Sequence, residues 1–261
     1  MHSFKRVFNP LLTFIIFSSL ITACASGPQL ENYSRSEIDR PFTLPSGVAS
    51  WTTEFAIDHQ MNPSGYPQTS SILDPMIWTQ SLSDDWNILW APIPLGVMYQ
   101  LNKDDSDRMG LGLLMGASYN SINGFDLRPT LTFSERHYFS KSFAVDASPG
   151  LTARLPFQSG QRPFLLAGIT FKGVFQLTPT FALLPGFSID EYRWESNATD
   201  LDAQGRPLSE VYTHVVVPLS FEAKWSVSRR WDLNASFTYS KIGYMDGYSD
   251  EQGAVNAIYY W

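Results

Sequence analysis

From Gly47 to the C-terminus, apolar and polar residues alternate with a period of two, and no stretch holds a helical period. Over 143–157, Phe143, Val145, Ala147, Leu151, Ala153, Leu155 and Phe157 share one face, opposite Asp146, Ser148, Thr152 and Arg154. Over 162–177, Leu165, Ala167, Ile169, Phe171 and Phe175 oppose Gly168, Thr170, Lys172 and Gln176. Over 212–227, Val215, Val217, Leu219, Phe221, Ala223 and Trp225 oppose His214, Ser220, Glu222 and Lys224. Over 231–240, Trp231, Leu233, Ala235, Phe237 and Tyr239 oppose Asp232, Asn234, Ser236 and Thr238. Successive side chains of a strand point to opposite faces, so each segment reads as a strand with one apolar and one polar face. The same reading predicts about ten strands, within a range of eight to 12, in an all-β antiparallel barrel, near 47–58, 88–101, 108–120, 126–139, 143–156, 162–177, 180–194, 211–227, 231–244 and 253–261. In 126–139, Glu135 follows Phe133 on the apolar face, a break that a bulge at that point would repair.

Alternation does not say which face is outside. A soluble barrel or sandwich puts its apolar residues inside, and a membrane barrel turns them to lipid. The strands are long enough for tilted membrane crossings. Connections alternate between short ones (102–107, 140–142, 178–179, 228–230) and long ones (59–87, 121–125, 157–161, 195–210, 245–252), as in barrels with short periplasmic turns and longer outer loops. Tyr99, Phe139, Phe143, Phe175, Phe181, Trp225, Trp231, Tyr259 and Trp261 cluster near the short turns or the C-terminus, the place of an interfacial aromatic girdle. The predicted fold is therefore a transmembrane up-and-down β-barrel whose even strand count puts both termini at the periplasmic end.

This assignment puts Asp146, Arg154, Lys172, Asp190, Glu222 and Lys224 in the lumen. A one-residue slip of 162–177 would instead turn Lys172 to lipid, at roughly 2–4 kcal/mol near the midplane. A barrel of this size is narrow, so charges of both signs fill it, and Gly110, Gly112, Gly116, Gly168 and Gly186 leave local space on the same face.

Composition narrows the functional classes. The chain has 261 residues, of which 44% are apolar, 15% aromatic and only 16% charged, against roughly 25% charged in typical soluble proteins. Its net charge is −7 and it has no basic run, which excludes a nucleic-acid-tracking surface. Residues 1–23 read as an export signal, with Lys5 and Arg6 ahead of an apolar Leu11–Ile21 stretch. Removing them takes two of the 18 basic residues and none of the 25 acidic ones, leaving a net charge of −9. The single cysteine, Cys24, rules out an internal disulfide or a zinc-thiolate site. Residues 24–45 are polar and contain prolines, and read as a flexible tether ahead of a barrel domain at 46–261.

Three short segments carry resemblances. Ile21-Thr22-Ala23-Cys24 resembles the lipobox of bacterial lipoproteins, which implies a lipidated Cys24, and Ala25 after it implies sorting to the outer membrane. Ala23-Cys24-Ala25 also fits ordinary signal-peptidase cleavage. The ending AVNAIYYW resembles the last strand of outer-membrane barrels, which the barrel-assembly machinery recognises, though Asn256 stands where the usual glycine is expected. The segment RPFTLPSGV resembles the opening of an uncharacterised group of bacterial outer-membrane barrels, some tied to transport of aromatic compounds.

Catalytic and ligand-binding signals are sparse. Past the signal the histidines are His59, His137 and His214. Asp58-His59 lies where omptin-type barrel proteases keep catalytic groups, and the competing reading is a loop-edge histidine. His214 with Glu222 reads as a lumen pair, and His137 carries no motif. No nucleophile-elbow, zinc-protease or phosphate-loop motif is present, and Gly110-Leu111-Gly112 reads as strand. Asp104, Asp105 and Asp107 lack the distal glutamate of a calcium loop and read as a turn. Asn197-Ala198-Thr199 fits a glycosylation sequon, which means little in a bacterial-type export context. The predicted loop 59–87, with Tyr66, Trp78, Trp86, Asp74, Asp84 and Asp85, reads as a lid or as a contact for sugars or a partner. No cofactor and no metal are expected. The expected role is structural, surface or small-solute passage, with outer-membrane lipid and the assembly machinery as partners. The alternatives are a lipid-anchored periplasmic barrel binding an apolar ligand, and a barrel hydrolase.

Overall fold

The computed structural model describes residues 30–61, 67–90, 95–102, 107–120, 124–157, 163–195, 211–241 and 249–261. The strands are β1 (Ala49–Met61), β2 (Pro67–Ser83), β3 (Trp86–Trp90), β4 (Leu95–Asn102), β5 (Asp107–Asn120), β6 (Gly124–Ser140) and β7 (Phe143–Pro156). They continue as β8 (Phe164–Thr178), β9 (Phe181–Glu195), β10 (Val211–Val216), β11 (Leu219–Ser226), β12 (Trp231–Lys241) and β13 (Ser249–Tyr260). β10 and β11 pair with β9 in one continuous register, Val216 opposite Asp190 and Leu219 opposite Phe187. They are one strand interrupted at Val217-Pro218, where proline has no N–H to give the ladder. Each strand pairs antiparallel with its neighbours, and β1 closes the sheet on β13, Ser50 opposite Tyr260, as a barrel of 12 strands.

Two expectations change here. Ten strands become 12 because the predicted 59–87 loop contains β2, and because 88–101 is two antiparallel strands, Trp86 opposite Tyr99. Each change adds one strand, so together they preserve an even count. Glu135 has no bulge beside it. It pairs in unbroken register with Met109 and Ala147, and the irregularity of that ladder lies at Tyr138/Ser140. The glutamate therefore stays on the outward face.

Burial is inverted relative to a soluble protein. Leu165 is 67% exposed, Val215 59% and Leu151 51%, while Gln100 and Asp232 are each 2% exposed. Among the described residues the large exposed apolar side chains point outward and the polar faces inward, as lipid demands. That orientation overturns the soluble-barrel alternative. Rings stack around the short-turn end: Trp86 on Tyr99 (4.5 Å), Phe139 on Phe143 (5.4 Å), Phe143 on Phe175 (4.6 Å), and Trp231 on Tyr259 (4.8 Å). Tyr259 continues to Trp261 at 6.0 Å, and Trp261 meets Trp78 edge-on at 6.2 Å. Phe181 and Trp225 face each other across the ladder at the same end.

The polar stretch read as the end of a tether is also different. From Leu30 it folds into two short 3-10 turns, Leu30–Asn32 and Glu37–Asp39, and buries Leu30, Ile38, Thr43, Leu44 and Val48. Gly47 (φ 77°) sits in the left-handed region of the bend Pro45–Val48, closed by Val48 N–H donating to Pro45 O at 3.0 Å. That bend turns the chain out of the barrel interior and into β1.

Candidate functional site

The predicted lumen positions and residues 30–48 form one site at the short-turn end. Ile38 is fully buried in a socket of Ala144 (β7), Val174 (β8), Ala182 and Leu184 (β9), with Tyr138 packed against it. All these wall residues occupy inward positions of their strands. A sequence reading built on apolar-outward alternation treats them as exceptions, yet they form the socket's lining.

Around Ile38 the contacts are ionic. The Glu37 carboxylate lies 3.0 Å from Lys224 Nζ, 3.6 Å from Arg40 and 3.8 Å from Arg136. Arg136 holds Asp146 with a two-pronged pair at 2.6 and 2.8 Å, and donates to the backbone carbonyls of Glu37 (2.6 Å), Ile38 (3.2 Å) and Arg40 (3.3 Å). Arg40 forms a close two-pronged pair with Asp232 and donates to Ser226 Oγ at 2.6 Å. Asp232 also accepts from Ser226 Oγ at 2.7 Å and from the Tyr260 hydroxyl at 2.8 Å. Every charge in this set has a partner, which buried charge requires.

These neighbours set the ionisation of the segment's own groups. Burial alone pushes the Glu37 carboxyl up, and Lys224, Arg136 and Arg40 together more than reverse it, so the group ends below its ordinary value of 4.5. Burial works against the Arg40 charge, but the bond to Asp232 together with the fields of Tyr33, Tyr260 and Asp232 outweighs it and raises the guanidinium pKa.

The rest of the segment is fastened to β2–β5. Phe42 N–H donates to Gln100 Oε1 at 2.8 Å, and Thr43 Oγ1 to Asp84 O at 2.7 Å. Leu44 N–H donates to Asn87 Oδ1 at 3.3 Å, and Ser46 N–H to Asp84 Oδ1 at 2.7 Å. Gly110 makes room for the Phe42 ring, since a Cβ there would lie 3.1 Å from it. The segment thus runs from β1 past β3–β5 to the socket on β7–β9. It then returns beside β11 and β12, where Arg35 donates to Ser226 O at 2.6 Å. It forms a floor across the lumen. Each hydrogen bond described between residues 30–46 and the wall uses at least one side chain.

Higher in the lumen, Lys172 crosses Gly186 to pair with Glu222 at 3.2 Å, tying β8 to β11. Ser188 Oγ donates to Asp190 at 2.6 Å, and that carboxylate lies over Gly168. The Arg154 guanidinium lies 5.5 Å from the Phe164 ring centre. All six predicted charges, Asp146, Arg154, Lys172, Asp190, Glu222 and Lys224, occupy inward positions, and the structure brings Asp146 and Lys224 together through the floor. Glu37, Arg40, Arg136, Asp232 and Tyr260 were not singled out from sequence. Parity alone places Arg136 and Asp232 inward, and the interleaved charges Glu31, Arg35, Glu37, Asp39 and Arg40 match a charged lumen better than a solvated tether.

The candidate chemistry comes apart. Asp58 and His59 are successive residues of β1 and take opposite faces; Phe55 and Ile57, on the face of His59, are exposed outward. His137 is exposed on the outward face with Nδ1 2.5 Å from Asp107. The backbone of His214 pairs with Tyr192, and its side chain lies outside the described residues. Cys24, Tyr66, Asp104, Asp105, Asn197 and the side chain of Asp74 also lie outside them. Among the described residues no group of three His, Cys, Asp or Glu side chains is placed to hold a metal ion.

No protein family and no curated sequence matches the chain. Solved structures do. An outer-membrane channel from Pseudomonas putida F1 superposes with a TM-score of 0.58 at 12% identity, over 88% of this chain and 98% of that one. The NanC porin gives a TM-score of 0.49 at 11% identity, over 79% and 98%. The translocator domain of the autotransporter NalP from Neisseria meningitidis gives 0.42 at 9%, over 81% and 88%. At 12% identity the likeness to the Pseudomonas putida F1 channel is one of fold, and with the outward apolar side chains it gives this chain the architecture of an outer-membrane β-barrel.

Proposed function

We propose that this protein resides in the outer membrane with its short-turn end in the periplasm, and admits small solutes past a floor made by its own N-terminal segment. The observation that supports it is how the floor is held. Between residues 30 and 46 it rests on side-chain bonds, ion pairs and the Ile38 socket, and its described bonds add no rung to the barrel ladder, so that stretch can release while every strand pairing stays intact. The Pseudomonas putida F1 neighbour is described as a channel, which agrees with this reading.

Planar-bilayer recording tests it. The wild type gives small, intermittent conductance, and Ile38→Asp, which puts a charge in the apolar socket, gives large and sustained conductance. Unboiled samples of both migrate ahead of boiled ones, showing an intact barrel. Equal, negligible conductance from both would sink the passage reading.

We further propose that Cys24 is lipidated and anchors the chain beside the barrel. A Cys24→Ser variant with a cleavable signal still fractionates with the outer membrane, because the barrel holds it there, but loses the mass of the lipid. An identical mass in variant and wild type, apart from the substitution, refutes lipidation.

A further inference from the structure

The floor shows what the wall is built to bind. The groups around Glu37 and Ile38 belong to β6, β7, β8, β9 and β11, and they recognise both residues in detail. The Ile38 side chain fills a closed aliphatic socket. Its N–H donates to Gln176 Oε1 at 3.1 Å, and its carbonyl accepts from the Tyr138 hydroxyl at 3.0 Å. Gln176 is pre-aimed, because its Nε2 is held by Thr178 O at 2.6 Å and Phe181 O at 3.3 Å. Beside the socket, Lys224 and Arg136 converge on one carboxylate. An anion next to a compact apolar body is the chemistry this wall takes.

Floor release uncovers that arrangement. Arg136 keeps Asp146 and Lys224 keeps Glu222 at 3.7 Å, but the anion between them is gone and the socket is empty of carbon. A solute shifts the equilibrium towards release only through a difference in its affinity for the two states. A neutral solute offers nothing to the two cations, and a small anion offers nothing to the socket.

Resting on the passage reading, we propose that the Glu37–Ile38 seat is a ligand site for monocarboxylates with a compact branched apolar body. Such a ligand replaces Glu37–Ile38 and holds the floor open. The floor competes as a tethered group at an effective concentration on the order of millimolar, so free ligand acts at tens of millimolar.

Tryptic cleavage of the full-length protein in neutral detergent at pH 7 reads floor release at Arg35-Ser36, since Arg35 is held within the docked floor, while Pro41 protects the bond after Arg40. The probes are 4-methylpentanoate, the uncharged 4-methylpentan-1-ol, and acetate, at equal ionic strength. Cleavage after Arg35 rises several-fold with 4-methylpentanoate and stays at its basal rate with the other two. Equal rates with acid and alcohol, acetate matching 4-methylpentanoate, or no response to any probe overturns the proposal. Ala182→Phe fills the socket and leaves both cations in place. Whatever its basal rate, it loses the preference for 4-methylpentanoate over acetate, and a preserved preference also overturns the proposal. A protein that conducts in bilayers yet shows no such preference retains the passage reading and loses this one. A preference without conductance under any condition retains the site and loses passage.

Discussion

Gly186 on β9 sits where one methyl group meets backbone. A Cβ there would lie 2.7 Å from Phe171 O, 2.9 Å from Ser220 Oγ and 3.0 Å from the Lys172 stem. The carbonyl belongs to a paired strand and cannot swing aside, so Gly186→Ala forces β8 and β9 apart or bends the Lys172–Glu222 strap. Overpacking of this kind costs roughly 1–3 kcal/mol. Gly253 on β13 has nothing within 4 Å of the same position. Gly253→Ala is therefore neutral or slightly stabilising. The check is the temperature at which the unboiled gel band converts to the boiled one. It falls for Gly186→Ala and holds for Gly253→Ala, and a reversed order would contradict the packing described. Both glycines were visible in the sequence, but only the structure separates the one under a crossing lysine from the one facing open space.

At the scale of the strand, parity decides the fate of a charge. Leu151 and Thr152 are neighbours on β7; Leu151 is exposed outward, and Thr152 faces inward with its hydroxyl 2.9 Å from that of Thr130. Leu151→Arg puts a guanidinium into the apolar band, at roughly 2–4 kcal/mol near the midplane and less towards either edge. Thr152→Arg gives up one hydroxyl pair and projects into a polar lumen, at under about 1 kcal/mol net. Refolding yield into vesicles, read as the fraction of heat-shifting band, drops for the first and holds for the second. A lumen of reversed polarity would give the opposite ranking. This level was the most legible from sequence, because strong alternation in 143–157, 162–177, 212–227 and 231–240 specifies face and register together. Legibility failed where polar residues or prolines blurred the period. β2 (PQTSSILDPMIWTQSLS) spreads Ser and Thr over both odd and even positions, and its ladder with β1 shifts register between Thr52 and Glu54, beside Pro75, which has no N–H to offer. β3 turns its even positions outward (Trp86, Trp90) and β4 its odd ones (Leu101), a phase change between Pro92 and Pro94 that two such short runs hide until their antiparallel pairing is seen.

For the whole molecule, the floor was the least legible feature, because residues 30–48 have no period of their own and their partners lie in β2–β9, β11, β12 and β13. What holds the floor also predicts when it lets go. Glu37 is its anion at the centre of the hub, facing Lys224 of β11, Arg136 of β6 and its own Arg40, while Asp146 of β7, Glu222 of β11 and Asp232 of β12 offset those cations. Docking lowers the Glu37 pKa below 4.5, so the docked floor binds fewer protons than the released one. Docking therefore gains stability as pH rises; that contribution is complete above the ordinary glutamate range and is lost as pH falls through the depressed value. Bilayer conductance should be flat between about pH 7 and 5 and should climb below about pH 4, as protonated Glu37 leaves three cations around an uncharged group. Glu37→Gln reproduces that state at neutral pH: its conductance is raised at pH 7 and shows no further step in the acid window. A wild-type rise on the alkaline side would reverse the linkage. An acid step of full size in Glu37→Gln would move the release trigger from the hub to another carboxyl of the wall.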